Sequence, residues 1–380
     1  MTGYQWPPYR LEGELAERVE SVRAVLAETE ADAEQRRMLP EEAFGTLADA
    51  GLFRLALPTE LGGLEVPPLV EMEVYEAVSR VSTAACWNLS AGCLYSSWAA
   101  AYLSDDAVRE IFGSGGPAVV AGQGPPRGTA VAAEGGVRVT GRYGFGSGMS
   151  HATWVLGGFT APPPDDEWRA FVVPKERVDV LDNWHAVGLA GSGSVDYAVR
   201  DLFVPDGYWF PLGRPRPLRG GPRFAAPIAA QVAAAHCGVA LGAGERALDA
   251  VVSAARSAGS PLAARGAFHR DLGEAHTRLS AARDHAARLL GALGDRLRHG
   301  PRPDRLFVQQ LVAAETYVTE VATDVTTMAY RYAGTAAIRL DHPLQRILRD
   351  LLVALQHKFI ADTSYDVLGT TLLDDVRRTA

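Results

Sequence analysis

Near the C-terminus of this chain, His357 and Lys358 are adjacent, and Asp362 and Asp366 follow them. Imidazole can protonate a reacting oxygen or take a proton from a phenol or an amine near neutral pH. Lys358 could act as a base only if burial lowered its pKa strongly. Asp362 and Asp366 are four apart, so one helical face would carry both, with Lys358 one turn earlier. A solvated Lys–Asp face is the commoner use of such a pattern. A second group is Gly144-Phe145-Gly146-Ser147-Gly148, followed by His151 and Trp154. Its glycines remove side chains and let backbone N–H groups approach a flat ring, with the Ser147 hydroxyl beside them. The same glycines would also serve a tightly packed strand end. His151 either lines a ligand or bonds to backbone as a structural histidine. Gln123 either meets a ligand or satisfies loop backbone. Ala333-Gly334-Thr335 either brings backbone close to a phosphate or simply ends a helix.

Three zones of sequence must position these residues. Residues 1–115 read as helices. Leu11 to Arg37 is charged and periodic, and Pro40-Glu41-Glu42 places a proline and two acids at a helix start. Val70 to Val81 has helical spacing. Thr83 to Leu103 is almost uncharged and should be a buried helix. Ser104 is the expected N-cap of the next one. Residues 116–222 form a β domain with a linker over Pro211 to Pro222. The strands are expected around Val137 to Val139, Trp154 to Phe159, Arg169 to Val173 and Tyr197 to Val204. Residues 223–380 carry four long amphipathic patterns, from about Ala225, Ala267, Asp304 and Leu344. They predict an antiparallel four-helix bundle, and an α+β chain overall.

Composition narrows the function. The chain has 380 residues and is 47% hydrophobic, ample for large cores. A net charge of −8 argues against nucleic acid as a partner. No apolar run approaches the roughly 18 residues of a membrane span, and Met1-Thr-Gly-Tyr-Gln-Trp-Pro-Pro does not read as a signal peptide. The three cysteines suit a reducing cytoplasm. Cys86 and Cys93 are about 10 Å apart along a helix, too far for an undistorted disulfide. Without C-x-x-C or H-E-x-x-H, no metal site is expected.

The run Asp341-His-Pro-Leu-Gln-Arg346-Ile-Leu-Arg349-Asp350 adds a family signal. Together with Val119 to Ala130, Val137 to Trp154 and Gly188 to Pro205, it resembles the acyl-CoA dehydrogenase superfamily across nearly the whole chain. It looks most like the two-component flavin-dependent monooxygenase branch (group D). The resemblance implies a helical N-terminal domain, a central β domain and a C-terminal four-helix bundle, assembled as a homodimer or homotetramer. It implies flavin, FMN or FAD supplied reduced by a separate reductase, lying against Phe145, Gly146 and Ser147. Gln123 would lie near the flavin, Gly334 and Thr335 near a phosphate, and Tyr95 and His151 beside the substrate.

Several positions depart from family patterns. Dehydrogenases with their base in this segment place a Glu eight residues after the final Asp, where Lys358 stands. Many monooxygenases carry a His eight residues after a buried Trp, where Tyr95 follows Trp87; Tyr95 is a poor base at neutral pH. Many also carry a His where Leu352 stands. The dehydrogenase Arg-x-x-Phe-Gly stretch is missing around Ala254 to Phe268. Arg256 or Arg265 could meet a phosphate there, or both are surface arginines. The favoured function is oxygenation of a small aromatic, amine or biosynthetic intermediate, with Ser147 and His357 as catalytic residues. The alternatives are an acyl-thioester dehydrogenase with a relocated base and a non-redox relative that binds flavin or acyl groups.

Overall fold

The computed structural model describes residues 11–113, 118–212, 217–300 and 302–379. The expected 115/116 domain boundary, part of the 211–222 linker and the N-terminal Met1 to Pro8 reading lie outside the described residues. Five helices come first: α1 (Gly13–Arg36), α2 (Glu41–Asp49), α3 (Pro68–Ser79), α4 (Thr83–Tyr102) and α5 (Asp105–Phe112). Pro40 precedes α2, and the Ser82 and Ser104 hydroxyls accept N–H groups in the first turns of α4 and α5. With no charged side chain of its own, α4 is buried on most of its surface and becomes the central post of the molecule.

A seven-stranded sheet follows, in the order β5-β6-β2-β1-β3-β4-β7. Its strands are β1 (Val120–Ala133), β2 (Gly136–Gly146), β3 (Trp154–Thr160), β4 (Trp168–Pro174), β5 (Asp179–Leu181), β6 (Val195–Pro205) and β7 (Trp209–Pro211). Pairing is antiparallel except between β1 and β3. The sequence reading did not identify β1, because Pro125-Pro126 argues against a central strand. The sheet absorbs the prolines where its register slips, between Gln123 and Gly128.

The bundle contains α6 (Ile228–Arg256), α7 (Gly266–His299) and α8 (Arg305–Ala333). Its fourth member is not one helix. It is α9 (Pro343–Ala354) and α10 (Thr363–Thr379), separated by a turn. Three-residue hydrogen bonds from His357 N–H to Ala354 and from Ile360 N–H to His357 tighten the chain there, and Ile360 is buried. The helical face expected to carry Lys358, Asp362 and Asp366 therefore does not exist. All three are exposed, with only Asp366 inside α10.

The run that opens this segment is structural. Arg346 donates to Glu34 at 2.6 Å and Glu30 at 2.8 Å, both on α1. Arg246 on α6 completes the clamp on Glu30 at 2.6 and 2.7 Å. Arg349 binds Glu34 and the Val187 carbonyl, and Asp350 accepts the Leu189 N–H at 2.6 Å. One stretch of α9 thus ties the bundle to the N-terminal helices and to the β domain. All three cysteines are free and buried. No described helix is long and apolar enough to cross a membrane.

Candidate active site

Four segments converge beside α4. Trp87 of α4 donates its indole N–H to the Ser147 hydroxyl at 3.0 Å, just beyond β2. On its other side the indole meets His236 of α6, with ring centroids 5.9 Å apart, and His357 of the α9–α10 turn, at 5.8 Å. The two imidazoles are 4.4 Å apart. Glu315 of α8 reaches His236 Nδ1 from behind. Ser147 and His357, distant in sequence, are thus brought to one indole.

Proton counting sets the direction of the hydrogen bonds at Ser147. Ser192 spends its only hydroxyl proton on the Leu189 carbonyl at 2.6 Å. Ser194 must then donate to Ser192, and Ser147 to Ser194, each at 2.7 Å. With Trp87 donating to it, Ser147 keeps one free lone pair and no free proton. Towards a ligand it is an acceptor. Leu189, where the chain ends, is the residue whose N–H is held by Asp350.

Phe145 holds a left-handed backbone conformation (φ 63°), unusual for a bulky residue. Its side chain is 68% exposed and edge-on to Trp184 at 6.3 Å. An apolar ring held out in a strained conformation beside a buried hydroxyl suits a flat heterocycle. The residues present fit a flavin in this respect. Gly146 and Gly148 also answer to packing. A Cβ on Gly146 would lie 3.0 Å from Met149 Cε, and one on Gly148 (φ 78°) would lie 3.2 Å from Asn88 Oδ1.

Burial lowers the His357 pKa well below the ordinary value, with smaller contributions from His236 and Lys358. Its Nδ1 accepts the Phe359 N–H at 3.4 Å, so the neutral ring carries its proton on Nε2. Burial also lowers His236 to about 4 and raises the Glu315 carboxyl well above its usual range.

The remaining expected residues lie elsewhere. His151 is a structural histidine: Nε2 meets the Leu39 carbonyl at 2.7 Å and the ring stacks on Phe44 at 4.4 Å. Gln123 donates to the Gly144 carbonyl at 3.1 Å, bracing the strand that presents Phe145. Tyr95 lies edge-on to Trp98, two turns along α4 from Trp87, and burial pushes its phenol up to about 12. Gly334 (φ 61°) ends α8, and exposed Thr335 borders an open depression of about 660 Å³ with Ile338, Arg339 and His342. That depression shares no residue with the Trp87 cluster. Arg265 lies over the Tyr332 ring at 5.5 Å.

Sequence reasoning missed His236 and Glu315. The available signal was a lone polar residue on an otherwise apolar helix face: His236 among the alanines of α6, and Glu315 between Leu311 and Val318 of α8. A buried polar residue is more informative than a buried apolar one.

Comparison with known proteins agrees with this architecture. Family models described as the acyl-CoA dehydrogenase N-terminal and C-terminal domains match residues 14–112 and 234–362. The chain belongs to the acyl-CoA dehydrogenase superfamily. Within it, the chain is 29% identical to a pigment production hydroxylase of Rhodococcus sp., over 95% of this chain and 96% of that one. It is 28% identical to the indole-3-acetate monooxygenase of Pseudomonas putida, over 88% and 87% of the two chains. The solved structure of XiaF from Streptomyces sp., in complex with FADH2 and glycerol, superposes with a TM-score of 0.86, at 26% identity, over 95% of both chains.

Proposed function

We propose that this protein is the oxygenase component of a two-component flavin-dependent monooxygenase that hydroxylates a small aromatic compound. The observation that carries the reading is the neutral, half-buried His357 beside the Trp87–Ser147 pair, with Lys358 turned out to solvent where a dehydrogenase of this family needs a carboxylate. Phe145, Gly146 and Ser147 would hold the isoalloxazine, with Ser147 accepting from a flavin N–H. When bound, reduced flavin supplies the electrons that activate dioxygen for transfer to the substrate.

The chain's own groups then have distinct tasks. Trp87 and the two imidazoles keep the site dry, which suppresses wasteful release of peroxide. His357 Nε2–H would hydrogen-bond the reacting oxygen, and its unprotonated Nδ1 would take the proton of a phenol or indole, giving up the long contact with the Phe359 N–H as the ring becomes imidazolium. Tyr95 would border the far end of the substrate pocket. Gly334, Thr335 and Arg339 would receive a flavin phosphate from a second copy of the chain, in a homodimer or homotetramer. The exposed Ile338 (66%) and Leu340 (76%) beside them support such a contact, and sedimentation analysis would test it. A separate flavin reductase would supply the cofactor, in a cytoplasm that keeps the three cysteines reduced.

The test supplies reduced FMN or FAD and ¹⁸O₂ to the protein with a panel of phenols and indoles. Incorporation of one labelled oxygen per product supports the proposal. Anaerobic bleaching of oxidised flavin by an acyl thioester would replace it with the dehydrogenase reading. Failure to bind flavin in either redox state would replace it with the non-redox reading.

A further inference from the structure

His236 and Glu315 are more than a helix-to-helix tie. Glu315 is fully buried, and only one of its oxygens is used: Oε2 meets His236 Nδ1, whereas Oε1 has no hydrogen-bond partner. A carboxylate with one bare oxygen in such a place is costly, whereas a neutral carboxyl is much less so. The directions of both pKa shifts agree: burial favours the neutral acid and the neutral imidazole. Glu315 O–H therefore donates to Nδ1, and the imidazole's own proton is on Nε2. No described residue hydrogen-bonds that Nε2. The ring lies against both Trp87 and His357, and Trp87 in turn donates to Ser147, so the imidazole that Glu315 backs belongs to the same cluster as Ser147.

We infer that His236, backed by Glu315, is a second catalytic proton donor that acts beside His357 in this pocket. The inference rests on the oxygenase reading above. In the step, the Nε2–H bond breaks, its electron pair stays on the ring, and the proton passes to the reacting oxygen. The Glu315 O–H bond breaks as Nδ1–H forms. One proton is delivered, the imidazole stays neutral, and the only new charge is on Glu315. A proton from solvent restores the pair after turnover. Two neutral histidines could thus serve one cycle: one donating to oxygen, the other handling the proton lost by the hydroxylated carbon or the phenol.

Two measurements test this. Long-range ¹H–¹⁵N spectra of the histidine-labelled, flavin-free protein should show His236 as the Nε2–H tautomer at pH 7. A Nδ1–H tautomer or an imidazolium would overturn the inference, whatever the protein's activity. Glu315→Gln keeps a donor to Nδ1 through its amide but cannot surrender that proton. The variant should retain the tautomer and the flavin affinity while hydroxylation falls about 10²-fold or more. Wild-type hydroxylation in that variant would reduce Glu315 to a packing role. A wild-type protein that hydroxylates nothing in the panel would instead sink the oxygenase reading, and the spectra would still decide the tautomer.

Discussion

Ser147 has spent its proton before any ligand arrives, because Ser194, Ser192 and the Leu189 carbonyl draw the three hydroxyls into one direction. Ser147→Ala would leave the Trp87 N–H without its acceptor and Ser194 without its donor. We expect a loss of about 1–3 kcal/mol in urea unfolding, together with weaker binding of reduced flavin in equilibrium dialysis. Lys358 makes the opposite case. It is exposed, and its charge helps hold the His357 pKa down. Lys358→Glu should change stability by no more than about 0.5 kcal/mol and should create no acyl-thioester dehydrogenase activity. Reversing the charge raises the His357 pKa, so the acid limb of the pH–rate profile should move to higher pH. An unmoved limb would remove His357 from the rate-determining proton transfer.

At the level of elements, the α9 arginines are a clamp rather than a ligand site. Arg346 and Glu30 are each less than a tenth exposed, and Glu30 is the carboxylate shared by Arg346 and Arg246, so removing it leaves two guanidinium groups short of a partner. Glu30→Leu should cost about 3–5 kcal/mol in denaturant unfolding, and a cost under about 1 kcal/mol would contradict the clamp. The other instructive element is the break between α9 and α10. Leu344 onward has a continuous helical pattern, so the sequence offers no stop before Asp362. The turn forms because Ile360 is drawn into the core and the His357 ring takes the Phe359 N–H. That single break turns His357 inward and Lys358 outward. In a continuous helix the two would still diverge, but neither direction could be assigned without knowing what packs on it.

For the whole molecule, Asp350 links the bundle to the loop that ends the serine chain. Burial, against the help of the Leu189 N–H, raises its carboxyl from an ordinary 3.8 to about 7. The folded state therefore holds this proton more tightly than the unfolded state between those values. The stabilisation it contributes is full below pH 3.8 and is lost as pH rises towards 7. Asp350→Asn keeps an acceptor for Leu189 without that penalty. The melting temperature of the variant minus that of the wild type should increase with pH across this window and level off above it. A flat difference in calorimetry would show that Asp350 is charged throughout.

The order of helices, sheet and bundle was readable because apolar periodicity is local: three to four residues for a helix and two for a strand. Ser104 as a cap, the uncharged α4 and the free cysteines were readable for the same reason. The motif at Asp341 to Asp350 gave the family, and with it Ser147 and His357. Only folding could show that Trp87 joins those two residues, and that His236 and Glu315 stand behind them. It also separated His151 and Tyr95 from the cluster and gave the α9 arginines their carboxylate partners. Each of these depends on side chains from different elements meeting in a water-poor space. There, proton positions follow from burial and hydrogen-bond counting, which no spacing along one chain encodes.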